Sequence, residues 1–125
     1  MTYSILVIEG ESALRRGLTL ALSEAGFTVA DASDYPEALL KLDEFKPHIV
    51  ILDEVLPSGN GMEICSQLHS NFDIPVVLLG EDPNGKAWMK AVEAGADLYL
   101  KKPFDYLELA ARVKAILRRY KKATA

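Results

Sequence analysis

An aspartate, two glutamates and a lysine stand at the ends of three separate apolar runs. Asp53 follows Ile49-Val50-Ile51-Leu52 at once, Glu9-Gly10-Glu11 follows the run from Tyr3 to Ile8, and Lys102 stands just after Leu98-Tyr99-Leu100. Clustered carboxylates repel one another and favour a hard divalent cation such as Mg²⁺, which takes a few oxygen ligands and keeps water and phosphate oxygens in its other positions. A cation on one side and an ammonium on the other would bracket a phosphoryl group, and a carboxylate that accepts such a group becomes a reactive acyl phosphate, suited to a reversible signal. Taken alone, Asp53 reads more readily as an aspartate that caps its own loop through a side-chain to backbone bond. The chemistry needs the acids and the lysine to meet, so the elements that carry them decide between the two.

Ile49 to Leu52 and Val76 to Leu79 are wholly apolar and rich in β-branched residues, the pattern of strands buried on both faces of a parallel sheet. Tyr3 to Ile8, Phe27 to Ala32 and Leu98 to Leu100 read as three further strands. Between them apolar residues recur at helical spacing: Leu14, Leu18, Ala21, Leu22 and Ala25, stopping at Gly26; Ala38, Leu39, Leu42 and Phe45, opened by Asp34, Pro36 and Glu37 and ended by Lys46-Pro47; and Met62, Ile64, Cys65 and Leu68. Ala87, Ala91, Val92 and Ala94, stopping at Gly95, and Leu109, Val113, Ile116, Leu117 and Tyr120 give the last two helices. Pro57 to Gly61 and Gly80 to Gly85 read as loops. Strict alternation of five βα units predicts an α/β fold of the flavodoxin-like, doubly wound type, (βα)5, with a five-stranded parallel sheet in the order 2-1-3-4-5. Strands one and three then lie side by side at the switch point, and Glu9 and Asp53 become neighbours.

At 125 residues and 50% hydrophobic composition, the chain is expected to form one domain over 1–125 with a core sufficient to fold unaided. A net charge of −4 and a pI near 5.2 argue against nucleic-acid binding by bulk electrostatics. Cys65 is the one cysteine and falls on a helical apolar pattern, which points to a buried reduced thiol and a cytoplasmic setting. No apolar run approaches membrane-spanning length, and the start MTYSILVIE lacks the features of a signal peptide.

Three motifs together, ILVIEGE at strand one, D-x-x-L-P-x-x-N-G from Asp53 to Gly61, and G-A-D-x-Y-x-x-K-P-F from Gly95 to Phe104, resemble the receiver (CheY-like) domain of two-component response regulators across essentially the whole chain. The resemblance implies that Asp53 accepts a phosphoryl group from a histidine kinase, that Lys102 contacts the phosphoryl oxygens, and that the Lys102-Pro103 peptide is cis. It implies a Mg²⁺ ion on the side of Glu9, Asp53 and Glu54, with the backbone carbonyl of Val55, two positions after Asp53, among its ligands. It also implies no enzyme activity beyond self-phosphorylation and autodephosphorylation at Asp53. The basic stretch RVKAILRRYKK is similar to the end of a winged-helix (OmpR/PhoB-type) receiver, whose DNA-binding domain would lie outside this chain and regulate transcription.

Two positions depart from that pattern. Gly10 stands where the family carries a second metal-binding acid, so Mg²⁺ is expected to bind more weakly. Gly80 stands where receivers carry the Ser or Thr whose hydroxyl grasps the phosphoryl group while an aromatic, here Tyr99, turns inward, so the coupling between states is expected to be weak. Such receivers pair through helix four, strand five and helix five; Glu93, Asp97, Glu108, Arg112 and Lys114 fit that face, and Trp88 is either an interface anchor or packed on its own domain. The alternative to a weakened phosphorelay receiver is a phosphorylation-independent pseudo-receiver, a protein-interaction or dimerisation module. Enzymes on the same fold fit poorly: Glu-Gly-Glu-Ser replaces a flavin carrier's phosphate loop, and Val55 stands where an aspartate-nucleophile phosphatase needs a second acid.

Overall fold

The computed structural model describes residues 2–124, with side chains described as far as residue 120; of the basic tail, the side chains of Lys121 and Lys122 lie outside the described residues. In chain order the elements are β1 (Ser4–Ile8), α1 (Ser12–Glu24), β2 (Thr28–Ala32), α2 (Tyr35–Phe45), β3 (Ile49–Asp53), β4 (Val55–Leu56), β5 (Gly59–Asn60), α3 (Gly61–Phe72), β6 (Val76–Gly80), α4 (Ala87–Glu93), β7 (Leu98–Lys101) and α5 (Tyr106–Thr124). The main sheet is parallel in the order β2-β1-β3-β6-β7, which is the expected 2-1-3-4-5 once the two-residue strands β4 and β5 are set aside.

The apolar runs lie where their composition puts them. Every residue of β3 and β6 is buried, and these strands, with β1, form the middle of the sheet; the more polar β2 takes one edge and β7 the other. Successive side chains of a strand point to opposite faces, so each run supplies two cores at once. Ile5, Val7, Ile49, Ile51, Val77 and Leu79 pack against Leu18 and Leu22 of α1 and Leu109, Val113 and Ile116 of α5. Leu6, Ile8, Val50, Leu52, Val76 and Leu78 meet Ala38 and Leu42 of α2, Ile64, Cys65 and Leu68 of α3, and Ala91 of α4. Helices therefore cover both faces, as crossovers in a doubly wound sheet require.

The helix punctuation follows the sequence with small shifts. Asp34 caps α2 by accepting from the Tyr35 amide at 2.9 Å, while Glu37 reaches back one residue further than a capping box, to the Ser33 amide at 2.8 Å. Gly26 and Gly95, just beyond α1 and α4, take left-handed conformations with φ of 101° and 93°. Leu39 and Val92, expected on inward stripes, are exposed instead, because the helices turn them away from the sheet. The loop expected after Asp53 contains a small antiparallel hairpin, in which Val55 pairs with Asn60 and Leu56 with Gly59 around Pro57-Ser58. Among the described residues, no helix is long and apolar enough to cross a membrane.

Candidate functional site

The sheet's own ladder delivers the chemical groups to one rim. Ile8 pairs with Leu52 and Asp53 with Leu79. One step past the strands, the Glu9 amide bonds Ala32 O at 3.0 Å, the Glu54 amide Leu79 O at 2.8 Å, and the Lys102 amide Gly80 O at 2.8 Å. Glu9, Gly10, Asp53, Glu54, Gly80 and Lys102 thus line one cleft of about 650 Å³. The Lys102-Pro103 peptide there is cis, as the resemblance implied.

Asp53 is 3% exposed; its Oδ1 accepts from the Val55 amide at 2.8 Å and its Oδ2 from Lys102 Nζ at 2.5 Å. Burial works against its charge, but the facing Glu9, the hydrogen bonds from Lys102 and the Val55 amide, and the lysine's charge hold its carboxyl below the usual range. Glu9 is 2% exposed and moves the other way, up to about 8, through burial and the facing Asp53. Of the two facing carboxyls, Glu9 is therefore the one that holds a proton more readily, and Asp53 is the one that keeps its charge. Burial opposes the charge on Lys102 too, yet the Asp53 and Glu9 carboxylates raise its pKa. The β1–α1 turn is pinned by Arg15, whose Nη1 donates to Glu9 O at 2.8 Å.

The residues present offer a divalent cation a partial cradle. Oε1 of Glu9 is a buried oxygen with no hydrogen-bond partner, while Oε2 accepts from the Glu11 amide at 3.1 Å. Beside it Gly10 brings no carboxylate, and among the described residues no group of three or more His, Cys, Asp and Glu side chains is arranged to hold a metal. The place is also partly taken: a Cβ on Gly10 would stand 3.0 Å from Pro57 Cδ and 3.4 Å from Pro57 Cγ. Glu11 is exposed where it lines the same cleft. Glu54, expected on the metal side, points elsewhere: its Oε2 accepts the Tyr99 hydroxyl at 2.8 Å, and its carbonyl accepts the Gly61 amide at 2.7 Å.

Gly80 is the second filled gap. A Cβ there would overlap both the Tyr99 hydroxyl and Glu54 Oε2 and stand 2.9 Å from Tyr99 Cζ. Tyr99 lies inward over Gly80, and burial, then the bond to Glu54 and its charge, push the phenol's pKa well above its ordinary value. Sequence reasoning missed the Glu54 to Tyr99 bond and the two glycines' neighbours. A glutamate beside Asp53 and a tyrosine near a glycine were the only signs.

The expected pairing face divides. Trp88 is 56% exposed on α4, and Glu93 is exposed as well. Glu108 and Arg112 bond each other on α5 at 3.4 Å. Asp97 is engaged within its own fold, accepting from Tyr120 Oη at 2.9 Å and the Val76 amide at 3.0 Å. Lys114 leaves the face entirely, with its ammonium 5.9 Å from the Phe27 ring centroid; it is two residues past Arg112, which on a helix points it to the other side.

A buried aspartate under a lysine, at the switch point of a five-stranded parallel α/β sheet, defines a receiver-type signalling domain. The family model for the response regulator receiver domain matches residues 5–114, and the chain belongs to that family, the receivers of two-component systems. It is 38% identical over 122 residues to the phosphate regulon transcriptional regulatory protein PhoB of Escherichia coli, covering 95% of this chain and 53% of PhoB. It is also 38% identical over 119 residues to the DNA-binding response regulator MtrA of Mycobacterium tuberculosis, covering 95% and 52%. The chain spans about half the length of the curated relatives it matches. Among solved structures, the BeF3-activated receiver domain of DrrB, from a Thermotoga maritima OmpR/PhoB homologue, superposes with a TM-score of 0.85 at 31% identity, covering 94% of this chain and 99% of that one.

Proposed function

We infer that this receiver accepts a phosphoryl group on Asp53 from a histidine kinase phosphohistidine, with weakened Mg²⁺-dependent phosphorylation and weakened switching, and so regulates an output, transcription through a DNA-binding domain outside this chain. The observation that carries this is the buried Asp53 carboxylate with Lys102 Nζ 2.5 Å from its Oδ2. An Asp53 oxygen attacks phosphorus, the phosphorus–nitrogen bond breaks with its electron pair leaving on the imidazole, and an acyl phosphate forms. In the loose transition state charge spreads over the equatorial oxygens, where the Lys102 ammonium counters it. The Val55 amide orients the carboxylate by holding Oδ1. A bound Mg²⁺ would add charge neutralisation on the Glu9 side, held by Glu9, Asp53 and the Val55 carbonyl; with Gly10 in place of a third carboxylate, its hold is weak. The setting for this chemistry is the cytoplasm, and the activity at Asp53 is limited to taking on and losing its own phosphoryl group.

A second reading, a phosphorylation-independent interaction module that pairs through α4, β7 and α5, is favoured by the Pro57 ring packed into the Gly10 gap and the exposed Trp88. Intact-mass measurement with a small phosphodonor across a wide Mg²⁺ range separates the two. A single phosphoryl mass gain, absent in Asp53→Ala, is expected. No gain at any Mg²⁺ concentration refutes the first reading in favour of the second.

A further inference from the structure

The Tyr99 side chain has been given an anchor that no phosphoryl group supplies. We propose that Glu54 acts as a latch that holds the Tyr99 phenol inward over Gly80, so that the state of the α4–β7 side is governed by Glu54 rather than by the occupancy of Asp53. This goes beyond the functional reading above and holds whether or not Asp53 takes up a phosphoryl group.

Three features of the structure carry it. The Tyr99 hydroxyl donates to Glu54 Oε2 at 2.8 Å, and a hydrogen bond to a carboxylate is among the stronger kinds. The carboxylate starts from a fixed point, because the Glu54 amide is tied to Leu79 O at 2.8 Å and its carbonyl to the Gly61 amide at 2.7 Å. Finally, the space exists only because residue 80 has no side chain: a Cβ there would overlap both partners of the bond. A ligand shifts a conformational equilibrium only by binding its two states differently. A phosphoryl group on Asp53 finds no hydroxyl at position 80 through which to reach Tyr99, whereas Glu54 contacts the phenol directly.

The latch also predicts an unusual response at Gly80. Both obstructing groups are the far ends of side chains that rotate aside, so Gly80→Ser opens the latch while leaving the fold standing. That separates a latch from a merely structural contact, whose loss would be read as lost stability.

The test is NMR of the chain labelled with ¹³C in its tyrosine rings, with the Tyr99 signal assigned by its disappearance in Tyr99→Phe. Wild type is expected to show one inward Tyr99 signal. In Glu54→Ala the inward-to-outward ratio should fall roughly 10- to 100-fold, the effect of removing one charge-assisted hydrogen bond. Glu54→Gln keeps an acceptor oxygen and should retain most of the inward signal. Gly80→Ser should shift Tyr99 outward with a thermal midpoint close to wild type, which keeps the test open if Glu54→Ala folds poorly. An inward signal that survives Glu54→Ala or Gly80→Ser overturns the proposal, as does a Glu54→Gln spectrum that matches Glu54→Ala.

Discussion

Alanine at Gly61 and alanine at Gly80 should have very different costs, although both glycines line the same end of the sheet. Gly61 is absent from the residues with positive φ, so alanine there contests space alone. Its Cβ would stand 2.6 Å from Glu54 Cα and 3.0 Å from Glu54 C, and closer still to the Asp53 carbonyl oxygen. These are backbone atoms, fixed by the pairing of Asp53 with Leu79 and by the Gly61 amide bond to Glu54 O at 2.7 Å. Overpacking against a held backbone costs about 1–3 kcal/mol, here toward the upper end. The reduced entropy of the unfolded chain returns about 0.5 kcal/mol. The net loss for Gly61→Ala is about 2 kcal/mol, or roughly 8 °C in thermal midpoint for a domain of this size. At Gly80 the obstructing atoms are side-chain ends, and the cost is about one hydrogen bond, ~1 kcal/mol, partly offset by the same entropy effect. Urea and thermal unfolding of the two variants at one pH measure the difference. If Gly61→Ala proves as stable as Gly80→Ala, the reasoning from backbone against side-chain obstruction is wrong.

Lys102→Met leaves the Asp53 charge buried at 4% side-chain exposure without its cation, and should lower stability at pH 7 by about 2 kcal/mol in urea unfolding. Asp97→Ala removes the acceptor for both the Val76 amide and the Tyr120 hydroxyl, and should cost about 1–2 kcal/mol by the same assay. Glu9 ionises near its ordinary 4.5 in the unfolded chain but only near 8 when folded, so folding takes up a proton between those values. Its contribution to stability is complete below pH 4.5 and lost as pH rises through 8, while Asp53, whose pKa is lowered, acts only on the acid side of its ordinary 3.8. The thermal midpoint should therefore fall between pH 6 and pH 9 by a margin that Glu9→Gln removes, measured by differential scanning calorimetry across that range.

The main sheet was legible because its strands are unusually plain. Ile49 to Leu52 and Val76 to Leu79 contain no polar residue to place on a solvent face, so only a parallel sheet covered on both sides accommodates them. Strict alternation of elements then fixes the order and brings Glu9, Asp53 and Lys102 to one rim. The β4–β5 hairpin was not legible, because two-residue strands carry no periodicity and Pro57 to Gly61 has the composition of any loop. Glu54 illustrates the other limit. Sequence gives its place beside Asp53, but the direction of a four-bond side chain depends on what residue 80 leaves vacant. Lys114 and Arg112 are both basic residues of α5, and only the helical angle between them shows that they serve different sides.

The two glycines share a consequence for any attempt to rebuild the pocket. Pro57 has settled against Gly10, and the Tyr99 phenol with the Glu54 carboxylate has settled over Gly80. An acid put back at position 10 must first displace a proline ring, and a hydroxyl put back at position 80 must evict two side chains at once. A substitution at either glycine alone therefore rearranges its neighbours before it rebuilds any part of the pocket. The two gaps are interlocked with their surroundings: a fuller pocket calls for coordinated change at Pro57 and Glu54 as well as at the glycines themselves.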